Sequence, residues 1–298
     1  MQTVFHLGVH ATDGDRLMKT LLANRDWLTR HRTEAVAPQR HRGLFEEALM
    51  SLKGGRATPE MVHIMQDAIF ETEAPERAIF STPTFMGAPG RTVSREGLYA
   101  QIGTRAAAIA NLFPETKSEF FVAIRNPATL IADVLKIFTG GGYHVLMQGR
   151  HPLDLRWNEA IRRLVNAVQG RRVVIWCHED VPLIWPEIIR MIAAMPPDAP
   201  LQDGLNYLNE LLTEEGRTQL LQAIAARDRL NVAQRREITS DMLARFAAPN
   251  ALDQTIDLPG WTQEMVDQIT RNYRSDIAEI AVLPGVEFIL PMAQPVSA

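Results

Sequence analysis

Residues 3–17 read Thr3-Val4-Phe5-His6-Leu7-Gly8-Val9-His10-Ala11-Thr12-Asp13-Gly14-Asp15-Arg16-Leu17, and this stretch decides the fold. The mostly apolar run Thr3–Val9 predicts a strand, and the glycines and aspartates after it predict a tight loop. A helix is expected from about Gly14 to Arg30. In α/β proteins, ligands bind where such a strand ends and a helix N-terminus offers free N–H groups. The loop is therefore the first candidate for an anion site.

Four later segments carry the same strand signal: Ala78–Ser81, Glu119–Ile124, Arg172–Cys177 and Val286–Leu290. The second and third are continuous apolar runs, which are typical of strands buried on both faces. Helical patterns lie between the strands, for example the apolar stripe from Trp157 to Val168. We therefore predict an α/β fold with three layers and a central, mainly parallel sheet of four to five strands.

The apolar residues of 200–284 repeat at helical spacing, with no strand between them. We expect one domain over residues 1–298. It would comprise an α/β core at 1–195, a mainly helical region at 196–284 and a final strand at 285–290.

Composition restricts the function classes. The chain has 298 residues, a net charge of -4 and a single cysteine, Cys177, so a disulfide scaffold is excluded. Charges of mixed sign do not favour nucleic acid or an anionic membrane as a partner. The N-terminus lacks the pattern of a signal peptide, and no apolar run is long enough to span a membrane. These features predict a soluble, cytoplasmic protein.

Three motifs resemble the P-loop sulfotransferase-like family, and they occur in the family's order. The run His6–Asp15 is similar to the family's strand and 5′-phosphosulfate loop. Phe121–Pro127 contains Arg125-Asn126-Pro127 and looks like the family's strand followed by R-[DN]-P. Arg156–Glu159 followed by Val173–Asp180 resembles the family's later helix, strand and Glu-Asp turn.

The resemblance implies a P-loop-like fold and sulfuryl transfer from 3′-phosphoadenosine 5′-phosphosulfate (PAPS) to a hydroxyl compound or glycan. PAPS, or its product 3′-phosphoadenosine 5′-phosphate (PAP), would be the cofactor, with no metal. Arg125 matches the Arg that binds the 3′-phosphate, Thr12 matches a loop Thr, and His10 at the rim is the candidate base. The implied cofactor-binding residues are Thr12, Gly14, Arg16, Arg125 and Asp133.

The chain keeps the family's Arg at Arg125 but departs from the family in three other places. Ala11 replaces the loop Lys, Asp13 and Asp15 follow it, Asp133 replaces a phosphate-binding Ser, and Pro83 falls where some members have a Glu base. Two unit charges about 4 Å apart interact by roughly 4 kcal/mol at an effective dielectric near 20. The aspartates therefore argue against a bound phosphosulfate.

Ordinary structural roles remain open for the same residues. Asp13 or Asp15 is expected to cap the helix N-terminus. Arg125 is expected either to bind a phosphate or to pair with Asp133, two helical turns further on. His6 is expected to be a buried core histidine.

Other candidate chemistry is weaker. Cys177 and His178 are neighbours that point to opposite faces of a strand, so they do not form a nucleophilic dyad. The remaining histidines lack zinc-ligand spacing.

Two functions remain. The protein either transfers a sulfuryl group, with residues 12–16 and Arg125 holding the donor and His10 as base, or it is a binding or regulatory module that retains the fold. The missing Lys, Ser and Glu favour the second function.

Overall fold

The computed structural model describes residues 1–227 and 230–291. Within these ranges one six-stranded sheet forms the centre of the fold, and all its neighbouring strands run parallel. Its strands are β1 (Gln2–His6), β2 (Thr33–Val36), β3 (Arg77–Ser81), β6 (Lys117–Ile124), β7 (Arg172–Cys177) and β8 (Val286–Ile289), in the order β2-β3-β1-β6-β7-β8. A separate antiparallel pair is formed by β4 (Val93–Ser94) and β5 (Gly97–Leu98).

Helices cover both faces of the sheet. They are α1 (Arg16–Ala23), α2 (Arg25–Arg30), α3 (Pro38–Leu52), α4 (Pro59–Ile69), α5 (Ile102–Ala110), α6 (Pro127–Ile137), α7 (Tyr143–Met147), α8 (Trp157–Ala167), α9 (Val181–Ala193), α10 (Asn206–Leu211), α11 (Glu214–Ala225), α12 (Val232–Phe246) and α13 (Gln263–Ala281). The predicted three-layer α/β fold is confirmed, and the helices α10 to α13 lie within residues 196–284.

The continuous apolar strands are explained by burial on two faces. In β1, Phe5 belongs to one core cluster, with Phe80 and Phe120 of the neighbouring strands. Its neighbour Val4 points the other way, into a second cluster with Ile79. Because successive side chains alternate across a strand, a sheet with helices on both sides needs apolar residues at every position.

The sheet has one more strand than predicted, because β2 escaped the sequence pattern. Its Thr33-Glu34-Ala35-Val36 is short, and it contains a carboxylate. Glu34 is 9% exposed and accepts hydrogen bonds from the backbone N–H groups of Glu71 and Thr72, at 2.9 and 2.8 Å. The carboxylate is tolerated because the segment before β3 satisfies it.

The expected helix from Gly14 to Arg30 is two helices that meet at Asn24. The Asn24 side chain donates to the carbonyls of Thr20 and Gln202, at 2.8 and 3.0 Å, and accepts from the Gln202 N–H at 2.9 Å. This contact joins residues far apart in the chain, so no local pattern predicts the break. Among the described residues, no helix is both long and apolar enough to cross a membrane.

Candidate functional site

The candidate site lies at the carboxyl edge of the sheet, where the strand order reverses. From β1 the chain continues to β2 and β3 on one side, and it then returns to β6 on the other side. Such a switch point leaves a crevice outside the strand ends, which is where α/β proteins bind ligands. The β1 loop (residues 7–15) and Arg125, directly after β6, flank this crevice.

The β1 loop contains two residues in the left-handed backbone region. Ala11 has φ 55° and Gly14 has φ 64°. A Cβ on Gly14 would meet nothing within 4 Å, so the backbone conformation is what favours glycine there. Thr12 donates its hydroxyl to the Val9 carbonyl at 2.6 Å, which ties the turn together. Thr12 therefore serves the loop itself in this arrangement.

The prediction that Asp13 or Asp15 caps α1 is wrong. Asp15 occupies the N-cap position, but its side chain accepts no capping bond from a backbone N–H of the helix and lies 2.9 Å from Lys19 Nζ, one turn along α1. Asp13 is 7% exposed, and one of its oxygens lies 3.9 Å from His6 Nε2. The first turn of α1 is thus left without a side-chain acceptor.

Arg125 forms the ion pair that was the alternative to a phosphate contact. Its Nη2 donates to Asp133 at 2.6 Å and to the Gln254 side chain at 2.9 Å, and its Nε donates to Thr129 at 3.1 Å. Nη1 donates to the Ala11 carbonyl, which bridges the crevice. All three guanidinium nitrogens are therefore engaged within the protein, and the side chain is 9% exposed.

Asp133 is held by two cations. Besides Arg125, Lys136 Nζ lies 2.6 Å from the other carboxylate oxygen. Burial raises the pKa of the Asp133 carboxyl, but the hydrogen bonds from Lys136 and Arg125 outweigh burial and bring it below its ordinary value. Asp133 therefore stays charged at neutral pH and occupies the Nη2 side of Arg125.

His10 lies behind the loop, where both of its ring nitrogens are hydrogen-bonded. Nε2 lies 3.1 Å from the Gly87 carbonyl and Nδ1 lies 2.9 Å from the Tyr99 hydroxyl. Burial lowers the pKa of His10, so the ring is neutral; Nε2 donates to the carbonyl and Nδ1 accepts from Tyr99. To act as a base, His10 would first have to lose the bond from Tyr99.

Arg16 begins α1 and faces the helical region. It forms a two-pronged pair with Glu210, at 3.1 and 2.6 Å, and its guanidinium carbon lies 4.9 Å above the Tyr207 ring. The hydrogen bond to Glu210 raises the pKa of Arg16. The structure thus gives both predicted cofactor-binding arginines an internal carboxylate partner.

His178 and Tyr207 join the two arginines in an arrangement that sequence reasoning missed. Arg125 and His178 follow Ile124 and Cys177, which are register partners in β6 and β7. The ring centres of His178 and Tyr207 are 6.5 Å apart. We call Arg16, Arg125, His178 and Tyr207 the edge cluster.

The imidazole of the edge cluster is neutral. Burial, together with the nearby charges of Arg125 and Arg16, lowers the pKa of His178 to about 4. In the sequence, the position of His178 directly after a strand was the feature that could have placed it at this edge of the sheet. Tyr207 gave none, because only packing of α10 brings it to the loop.

The thiol beside His178 is not reactive. Cys177 is 4% exposed, and burial raises its pKa, so the thiol stays protonated. Glu179 accepts from the Asn126 N–H at 2.8 Å and from the Tyr273 hydroxyl at 2.9 Å, which fixes the turn after β7. In the described part of the chain, no three His, Cys, Asp or Glu residues are grouped to hold a metal ion.

Comparison with known proteins adds no relatives. No protein-family model matches this chain, and no curated protein matches it. The likeness to sulfotransferase-like proteins therefore rests on its motifs.

Proposed function

We propose that this protein is a sulfotransferase-like binding module that does not transfer sulfuryl groups. The observation that carries the proposal is the occupation of Arg125, whose three nitrogens are bound to Ala11, Thr129, Asp133 and Gln254. Its ligand would be a glycan or a small hydroxyl compound at the carboxyl edge of the sheet.

Charge at the crevice supports this proposal. Arg125 is paired with Asp133 and Arg16 with Glu210, while Asp13 is buried in the loop. A PAPS molecule would have to displace these carboxylates or lie beside them, and Ala11 stands where the resembling family has its loop lysine. Donor binding would have to break the partly buried contact between Arg125 and Asp133, whereas the pair of Arg16 and Glu210 is exposed.

The buried thiol of Cys177 is compatible with a reducing compartment. We therefore keep the cytoplasm as the proposed location.

Sulfuryl transfer from PAPS is the second candidate function. It is favoured by the uncapped first turn of α1 at the switch point, because helix N-terminal N–H groups bind anions. His178 also places a neutral imidazole at this edge, which can accept a proton from a hydroxyl group, but its pKa of about 4 makes it a weak base. For PAPS to bind, Arg16, Arg125 and His10 would have to give up the hydrogen bonds that they make within the protein.

Calorimetric titration with PAP tests the proposal. We expect no heat of binding at high micromolar PAP, because Arg125 is not available. Saturable binding that is lost in Arg125→Ala and kept in Arg245→Ala would overturn the proposal and favour the second candidate. Arg245 is a suitable control, because it is an exposed arginine paired with Asp241 on α12.

A further inference from the structure

A cavity at the free edge of the sheet carries charge of both signs. It has a volume of about 370 Å³ and lies between α1 and α2, the edge strand β2, the start of α3 and the segment after α4. This is near the lower end of the range for small-ligand sites, about 300–1,000 Å³. It shares no lining residue with the edge cluster.

Two arginines from different helices converge at this cavity. Arg25 Nη2 lies 3.0 Å from one oxygen of Glu71, and Arg40 Nη1 contacts the other oxygen. Among the described residues, each guanidinium makes this single hydrogen bond, so most of its five N–H donors are not used. Such donors match the geometry of a carboxylate.

The acidic side of the cavity is held in place by the backbone. Glu34 accepts the N–H groups of Glu71 and Thr72, and this fixes the segment that carries Glu71. Each Glu71 oxygen accepts one bond from an arginine and has a second lone pair for another donor. Glu71 is about half exposed, so an ammonium group reaches it from solvent.

The remaining wall is apolar. Leu22, Leu28 and Ala35 line the cavity, and Leu22 is 45% exposed, so its side chain is accessible to a ligand. The lining therefore offers two cations, two anions and an apolar surface. Because the two arginines and two glutamates balance, the lining has no net charge, and it suits a ligand that carries one charge of each sign better than a simple anion or cation.

We propose that this cavity binds a small zwitterion with an apolar body, that is, a free apolar amino acid. Its carboxylate accepts from Arg25 and Arg40, its ammonium donates to Glu71, and its side chain packs on Leu22 and Leu28. This site is independent of the proposed function at the carboxyl edge.

Nitrogen-15 NMR titrations of the full chain with L-leucine test the site. We expect saturable shifts in Thr33–Val36 and Glu71 at millimolar leucine. N-acetyl-L-leucine lacks the ammonium and L-leucinamide lacks the carboxylate, so each should bind at least about tenfold more weakly. The absence of saturable shifts, or equal binding of the three compounds, would overturn the proposal.

Variants make the test specific. Arg40→Gln should abolish binding, whereas Arg30→Gln, on α2 but outside the cavity lining, should leave it unchanged. Glu71→Gln removes the ammonium partner and frees both arginines, so N-acetyl-L-leucine should now bind more tightly than leucine. If Glu71→Gln weakens both compounds equally, the assigned orientation is wrong. PAP titration is unaffected by these changes, so failure of this site leaves the test of the carboxyl edge intact.

Discussion

Arg125 is the single side chain on which the candidate site depends. Its ion pair with Asp133 was foreseeable, because the two residues are separated by two turns of the helix that follows Pro127. Its bond to Gln254 was not, because Gln254 comes from the segment between α12 and α13 and reaches Arg125 only through tertiary packing. Sequence therefore predicts the partner that lies on the following helix, but not the partner that tertiary packing brings to Arg125.

Asp180 is a second residue whose environment has a measurable effect. It lies at the start of α9, and burial together with the nearby Glu179 charge raises its pKa to about 6, from 3.8. The folded state therefore binds a proton more tightly than the unfolded state. Stability should fall as pH rises from about 4 to 6, because the unfolded chain ionises first.

Asp180→Asn should remove this fall in stability with rising pH, because the amide resembles the protonated carboxyl. We expect the variant to be more stable than the wild type by about 1–2 kcal/mol at pH 7.5, after allowance for partial solvent screening, and nearly equal to it below pH 4. Urea denaturation at several pH values measures the difference. The exposed Asp257→Asn is the control, and a gain that does not vary with pH would contradict the explanation.

Among the elements, the buried strands were predicted best, because burial on both faces requires continuous apolar runs. The edge strand β2 and the β4–β5 pair were missed, since they are short and contain polar residues. The break between α1 and α2 was also missed, because Asn24 bonds to Gln202. Elements that are stabilised by distant partners leave little pattern in their own sequence.

The packing of α5 on α8 depends on one glycine. A Cβ on Gly103 would clash with the Arg163 carbonyl and lie 3.0 Å from Ala167 Cβ. Gly103→Ala should therefore destabilise the protein by about 1–3 kcal/mol, measured by thermal or urea unfolding. Gly43→Ala in α3 is the matched control: a Cβ there meets nothing within 4 Å, so it should stabilise the protein by up to about 1 kcal/mol. Equal effects of the two changes would rule out close helix packing as the cause.

Helix α13 is anchored on α8 by a fully buried carboxylate. Asp276 accepts from Arg156 Nε at 2.8 Å and from the Trp157 N–H at 2.7 Å. Asp276→Ala leaves both donors without their acceptor, so it should cost about 3 kcal/mol in the free energy of unfolding. Asp267→Ala, on the exposed side of the same helix, should cost less than about 0.5 kcal/mol. Urea unfolding distinguishes them, and comparable losses would show that Asp276 is not an anchor.

At the scale of the whole molecule, the sheet order and the helical region together make the site. The reversal of strand order at β1 sets the crevice, and alternating strands and helices were sufficient to predict the α/β fold around it. The C-terminal helical region then supplies Tyr207, Glu210 and Gln254 to the crevice. The small net charge of -4 does not indicate whether the crevice can bind an anion. What matters is that Asp13 and Asp15 lie in the β1 loop and that Asp133 is paired with Arg125.

We propose that carboxylates inside the protein keep the crevice closed to PAPS. Parallel calorimetric titrations of the wild type and Asp133→Ser with PAP test it most directly. Removing Asp133 frees one side of Arg125 and removes a repulsive charge, so the variant should bind PAP and the wild type should give no heat at the same concentrations. Tight binding of PAP by the wild type, unchanged in Asp133→Ser, would contradict the account.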